Sequence, residues 1–132
     1  MSSSRVLIVD DNRLNVELTA FVLEADDFIV DSAADAAQAL VRIPEFRPDL
    51  ILMDIQMPGM DGLALTRRLK GDPSMRHIVI VAFTAYAMKG DEVRLRQAGC
   101  DGYASKPIDV STFAATVRRS IADGVRSDPD RH

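Results

Sequence analysis

The sequence predicts an α/β fold, a single doubly wound domain in which five βα units surround one parallel sheet. Short apolar runs without polar alternation, typical of strands covered on both faces, alternate along the chain with stretches whose apolar residues recur at helical spacing. The chain is also 132 residues long and 47% hydrophobic, which fits one domain with one core.

The first βα unit starts with the apolar run at residues 6–9, which is followed directly by Asp10, Asp11 and Asn12. This pattern predicts a buried strand that leads into a polar loop. A helix follows, and its apolar residues at helical spacing predict one face that packs on the sheet. The members of that face are Leu14, Leu18, Phe21, Val22 and Ala25.

The second unit has its strand at residues 28–30. Asp35 can cap a helix that extends through Ile43, because an Asp side chain accepts a hydrogen bond from the first helical turn. Pro44 and Pro48 are then expected to break the chain before the next strand.

The third and fourth units follow the same order. The run 50–53 predicts a third strand that ends at Asp54, and residues 62–70 predict the helix after it. The fourth strand is predicted at residues 78–83 and ends at Thr84.

The fifth unit is preceded by a helix predicted at residues 89–98, and its short strand is predicted at residues 102–104. A final amphipathic helix is predicted from Val110, Phe113, Val117 and Ile121. We expect residues 1–123 to form the domain and residues 124–132 to form a flexible tail.

Right-handed crossovers between five such units favour a flavodoxin-like sheet with the strand order 2-1-3-4-5. In a sheet of this kind, ligands bind beyond the carboxyl ends of the strands. The residues that follow the strands are therefore the candidates for function.

Composition excludes several classes of protein. The chain has 16 basic and 20 acidic residues, a net charge of −4, so direct nucleic-acid binding is not expected. Cys100 is the only cysteine, so an internal disulfide is excluded. Cys100 itself is expected to be a small buried hydrophobe. No apolar run is long enough to insert into a membrane, so a cytoplasmic protein is the expectation.

Chemistry-bearing side chains follow four of the predicted strands: Asp10 and Asp11, then Asp54, Thr84 and Lys106. Each has an ordinary alternative, since strand-end Asp residues cap helices, a Thr can do the same, and most lysines are solvated. Together they predict one acidic cleft with a hydroxyl and a cation beside it.

A cluster of carboxylates calls for a hard divalent cation, because the negative charges otherwise repel one another. Mg²⁺ suits oxygen ligands, and Mn²⁺ would also fit, whereas zinc would prefer Cys or His. A carboxylate can also attack phosphorus, and Asp54, central in the sheet, has the best position for that role.

At these residues the chain resembles the receiver domains of response regulators in two-component systems, which share the CheY-like fold. The resemblance covers about residues 5–121 and lies in the segments 6–12, 53–62, 84–85 and 106–107. The segments 83–91 and 99–108 are particularly similar to single-domain regulators of the cell cycle.

The resemblance implies a role for each site residue. Asp54 would be the phosphoacceptor, Asp11 a direct Mg²⁺ ligand, Asp10 an acid that acts mainly through water, and the Gln56 backbone carbonyl a further ligand. Thr84 and Lys106 would contact the phosphoryl group, and Tyr103 would be an aromatic switch residue.

The family also implies partners. A histidine kinase or a histidine phosphotransfer protein would phosphorylate Asp54, and a downstream protein would bind the switched surface of the fourth helix, fifth strand and fifth helix. The chain would be a phosphoacceptor signalling domain rather than an enzyme, and a monomer or weak dimer.

Three interpretations stay open within the family: a stand-alone regulator, a phosphorelay shuttle, and a receiver excised from a hybrid histidine kinase. Outside it, aspartyl-nucleophile phosphohydrolases carry a second acid two residues after the nucleophile, where this chain has Gln56. A flavodoxin-type carrier would need Gly, Ser or Thr after the first strand rather than Asp10, Asp11 and Asn12.

Overall fold

The computed structural model describes residues 4–55, 62–84, 89–105 and 108–127. In these ranges strands and helices alternate. The strands are β1 (Arg5–Val9), β2 (Ile29–Ala33), β3 (Leu50–Asp54), β4 (Val79–Thr84) and β5 (Gly102–Ser105), and the helices are α1 (Arg13–Glu24), α2 (Ala36–Phe46), α3 (Gly62–Lys70), α4 (Lys89–Ala98) and α5 (Phe113–Ser127).

The five strands form one parallel sheet in the order β2-β1-β3-β4-β5. The predicted fold class and strand order are therefore confirmed. Strand β3 lies in the middle, with Val9 of β1 opposite Met53 on one side and Phe83 of β4 opposite Asp54 on the other. The residues that follow β1 and β3 consequently lie side by side at one edge of the sheet.

Helices cover both faces of the sheet, which explains the strands without polar alternation. In β1, Leu7 and Val9 pack into one apolar cluster with α2, α3 and α4, while Val6 and Ile8 pack into a second cluster with α1 and α5. Cys100 belongs to the first cluster, as predicted. Burial raises the pKa of its thiol, so Cys100 stays protonated in the core.

The predicted packing face of α1 is wrong for four of its five residues, and only Val22 is buried. Leu14 and Phe21 are 78% and 72% exposed, and Leu18 is exposed as well. Thr19 and Leu23, which were not in the predicted face, are buried with Val22. The helix is therefore rotated relative to the prediction, and an apolar stripe faces the solvent.

Two boundaries in the second unit also differ from the prediction. Strand β2 extends to Ala33, because it pairs with β1 along the whole length of that strand. Helix α2 continues through Pro44 to Phe46 and is capped by Arg47, whose φ is 54° and whose N–H donates to the Ile43 carbonyl at 2.8 Å. Pro44 removes one N–H donor and its ring crowds the carbonyl four residues earlier, and the helix continues for only two residues after it, so Pro44 lies near the end of α2 rather than beyond it.

The last helix begins later and ends later than predicted. Val110 is exposed in the turn before α5, where Asp109 accepts hydrogen bonds from the Ser111 hydroxyl and backbone that hold the pKa of its carboxyl below the usual value. Helix α5 extends past residue 123 to Ser127, so Gly124, where the tail was predicted to begin, does not end the helix. The rest of the predicted tail, 128–132, lies outside the described residues.

Each of the described helices is too short or too polar to span a bilayer.

Candidate functional site

Asp10 follows β1 directly and is only 2% exposed. Its backbone N–H donates to the carbonyl of Ala33 at 3.0 Å, which extends the pairing of β1 with β2 by one residue. Both carboxylate oxygens accept hydrogen bonds, Oδ1 from the Asn12 backbone N–H at 2.9 Å and Oδ2 from Asn15 Nδ2 at 2.6 Å. The Asp10 side chain is thus held in one orientation.

The loop after Asp10 is short because Asn12 caps α1. Asn12 has an extended backbone, with φ of −87° and ψ of 103°, and its side-chain oxygen accepts from the Asn15 backbone N–H at 3.0 Å. This satisfies one of the free donors of the first helical turn. Asp11 lies between the strand and the cap and is exposed to solvent.

Asp54 is the last residue of β3 and is 4% exposed. Helix α3 begins very close to it. A Cβ atom on Gly62 would lie 2.6 Å from the Asp54 carbonyl oxygen and 2.9 Å from Ile55 Cα. Only glycine lets the helix approach the end of this strand so closely, and Gly62 therefore sets the space around Asp54.

The three carboxylates meet at the carboxyl edge of the sheet. One oxygen from each of Asp10, Asp11 and Asp54 can be chosen so that all three atoms lie within 4.8 Å of one another. Within the ranges that the structure describes, no other three such groups come together in this way. Three like charges at this spacing repel, and a bound cation would relieve the repulsion.

The donor set fits Mg²⁺. All three groups offer oxygen atoms, two of them are buried and one is open to solvent, and the described residues place no Cys or His among them. Mg²⁺ binds through one or two carboxylates and keeps several waters, and the exposed side of the cluster leaves room for these waters. The structure confirms that Asp10, Asp11 and Asp54 form an acidic pocket that could hold a metal ion.

The structure describes the other predicted site residues only in part. Thr84 is the last residue of β4 and pairs with Ser105 of β5, but its hydroxyl lies outside the described atoms. Gln56 and Lys106 lie outside the described residues. Tyr103 lies on β5 opposite Ala82 and is 44% exposed.

Two residues that contact the cluster were not among the predicted site residues. Asn12 and Asn15 join Asp10 to the first turn of α1. A signal for Asn12 was present, since an Asn just before a helical pattern is a preferred cap. Nothing in the spacing alone indicates that the Asn15 amide turns toward the preceding strand.

Comparison with known proteins agrees with this architecture. The profile of the response regulator receiver domain matches residues 6–118. The polar-differentiation response regulator DivK of Brucella anthropi is 48% identical over 118 residues, which cover 89% of this chain and 96% of that protein. The DivK of Brucella ovis is 47% identical over the same share of each chain.

Solved structures show the same fold. A CheY-like receiver domain protein from Methanospirillum hungatei has a TM-score of 0.84 at 27% identity, covering 96% of this chain and 100% of its own. The receiver domain of a sensor histidine kinase from Pseudomonas aeruginosa, which has a magnesium ion coordinated in its active-site cleft, has a TM-score of 0.80 at 32% identity, covering 91% and 98%. This chain belongs to the response regulator receiver domain family.

Proposed function

We propose that this chain is the phosphorylated switch of a two-component or phosphorelay system, with Asp54 as the phosphoacceptor. The observation that carries the proposal is the acidic cluster at the end of the central strand. Asp54 is its buried member on β3, and the other two carboxylates come from the adjacent strand end. A nucleophile at the end of the central strand lies next to the residues that follow the strands on both sides of it.

In the proposed reaction, an Asp54 carboxylate oxygen attacks the phosphorus of a phosphohistidine. The new O–P bond forms as the N–P bond breaks, and the leaving imidazole nitrogen recovers its electron pair and takes up a proton. The product is an acyl phosphate on Asp54 and a free histidine on the donor protein.

Asp11 and Asp54 would hold the divalent cation directly and Asp10 mainly through water, together with the backbone carbonyl of Gln56 that the family resemblance implies. Bound there, Mg²⁺ or Mn²⁺ would neutralise charge on the phosphoryl oxygens during transfer. Asp10 contributes a buried carboxylate, and Asp11 is the carboxylate of the cluster that is open to solvent and to the waters of a bound cation.

Thr84 and Lys106 are proposed to contact the phosphoryl group. In support of this, β4 and β5 are neighbours, and Thr84 opposite Ser105 brings the end of β4 next to the segment that leads to Lys106. A hydroxyl donor and a compact ammonium charge would satisfy oxygens of the new dianionic group. Tyr103 is half-exposed on the edge strand β5. It is the proposed switch residue, and its rotation into the protein would change the surface of α4, β5 and α5.

The proposed donor is a histidine kinase or a histidine phosphotransfer protein, and the proposed target is a further protein. The exposed stripe of Leu14, Leu18 and Phe21 on α1 begins beside Asp11 and supports docking of a donor protein at the cluster. The similarity to the polar-differentiation response regulators DivK supports a stand-alone regulator, to which we assign a role in cell-cycle control and a cytoplasmic location. A phosphorelay shuttle remains the alternative, as does a receiver that belongs to a hybrid histidine kinase.

The test is intact mass after incubation with acetyl phosphate, with and without Mg²⁺. We expect a Mg²⁺-dependent gain of one phosphoryl group in the wild type and none in Asp54→Asn. Asp27→Asn is the matched control, because Asp27 is exposed beyond the far end of α1 with φ of 68°, a conformation that Asn tolerates. Equal labelling of Asp54→Asn and wild type would contradict the proposal.

A further inference from the structure

The first turn of α1 carries an unusual hydrogen-bond arrangement. A helix capped by a polar residue often uses the side chain three positions later to accept from the cap's own backbone N–H. In α1 the cap is Asn12 and the residue three positions later is Asn15. Neither group follows this pattern: the Asn12 N–H donates to Asp10 Oδ1, and the Asn15 amide donates to Asp10 Oδ2.

Helix α2 provides the comparison within the same chain. Its cap is Asp35, which accepts from the Gln38 backbone N–H at 2.8 Å. The Gln38 side chain, three positions after the cap, turns back in a variant of this pattern and accepts from the N–H of Ala34, the residue before the cap, at 3.0 Å. In α2 this position therefore stabilises the helix start, whereas in α1 it holds a carboxylate of the acidic cluster.

We infer that Asn15 is a positioning residue for divalent-cation binding: its amide fixes the buried Asp10 carboxylate within the acidic cluster. This inference rests on the proposed function and deepens it. Hydrogen bonds to a ligand carboxylate orient it before the metal arrives, so less conformational freedom is lost on binding. The 2.6 Å contact to Oδ2 and the 2.9 Å contact to Oδ1 together restrict both torsions of the Asp10 side chain.

Substitution of Asn15 separates this role from helix capping. Asn12 Oδ1 caps the helix by accepting from the backbone N–H of Asn15, not from its side chain. Every replacement at position 15 except proline keeps this N–H. Asn15→Leu keeps a side chain of similar size and removes the amide group, including the NH₂ that donates to Asp10 Oδ2. Asn15→Gln keeps the amide on a chain one methylene longer, so it can restore the contact to Asp10 in part.

The experiment measures Mg²⁺ affinity by isothermal titration calorimetry, since the chain contains no tryptophan to report binding by fluorescence. Loss of a hydrogen-bond partner of a metal ligand typically weakens metal binding by about 10–100-fold. We expect Asn15→Leu to raise the Kd for Mg²⁺ by about tenfold at least, and Asn15→Gln to recover part of the loss. Thermal unfolding without metal checks that each variant is folded.

Gln38→Leu is the matched control, because it removes the corresponding side chain from the corresponding position of α2. It is expected to leave the Kd for Mg²⁺ unchanged. If Asn15→Leu and Asn15→Gln are folded and bind Mg²⁺ as tightly as wild type, the inference is overturned while the proposed function stands. If the wild type itself does not bind Mg²⁺, both are overturned, and the two failures are thus distinguishable.

Discussion

At the scale of single residues, Gly62 controls how closely α3 approaches Asp54, the proposed phosphoacceptor. Its position is crowded by backbone atoms, not by flexible side chains: a Cβ would meet the Asp54 carbonyl oxygen at 2.6 Å. Backbone atoms of a central strand cannot move aside cheaply, because β3 is paired on both sides. A larger residue at position 62 must therefore displace the start of α3.

Gly62→Ala is expected to lower the free energy of unfolding by about 1–3 kcal/mol, the usual cost of overpacking a filled site. It should also slow labelling of Asp54 by acetyl phosphate, since the space around the carboxylate changes. Urea unfolding and intact mass measure the two effects. Gly102→Ala is the control, because a Cβ at Gly102 on β5 would meet no atom within 4 Å; an equal loss of stability in both variants would contradict the argument.

At the scale of elements, the rotation of α1 follows from its first turn. Asn15 is directed at Asp10, and the residues four, seven and eight positions later, Thr19, Val22 and Leu23, share its side of the helix and are buried. The competing stripe of Leu14, Leu18 and Phe21 is more apolar, so periodicity alone selects the wrong face. Exposing these three apolar side chains to water costs free energy, and a partner protein that covers them would offset this cost.

Replacement of Leu18 and Phe21 together by Ala is expected to separate two phosphodonors. Acetyl phosphate needs no protein contact, so its labelling of Asp54 should not change. Transfer from a phosphorylated histidine phosphotransfer protein that labels the wild type should fall by about tenfold or more. An aromatic hot spot that an interface buries contributes about 2 kcal/mol or more, and roughly 1.4 kcal/mol corresponds to a factor of ten.

Val41→Ala provides the comparison for α1, because Val41 is an exposed aliphatic residue on α2. Radiolabel transfer over a time course measures the rates. Equal slowing by Val41→Ala would mean that the effect is not specific to α1, and unchanged transfer in the α1 variant would exclude this stripe as the docking surface.

At the scale of the whole molecule, the sheet could be predicted because its rules are global. Five alternating units and right-handed crossovers leave few strand orders, and the order places the ends of β1 and β3 together. This is why Asp10, Asp11 and Asp54 could be grouped before their distances were known. Local details could not be predicted in the same way: Pro44 stays within α2 because it lies in the last turn, and the face of α1 depends on a side-chain contact across a loop.

The acidic cluster also links metal binding to global stability. A cation that binds only the folded chain stabilises it by about 2.7 kcal/mol at 100 times its Kd, which corresponds to a rise in Tm of roughly 10 °C for a domain of this size. We expect MgCl₂ to raise the Tm of the wild type by about this amount, in thermal scans matched for ionic strength with NaCl.

Asp11→Asn should lose most of this rise in Tm, because Asp11 is the carboxylate of the cluster that solvent reaches. Asp27→Asn, which removes the same charge beyond the far end of α1, should keep it. An equal rise in Asp11→Asn would mean that Mg²⁺ stabilises the fold from somewhere other than the ends of β1 and β3.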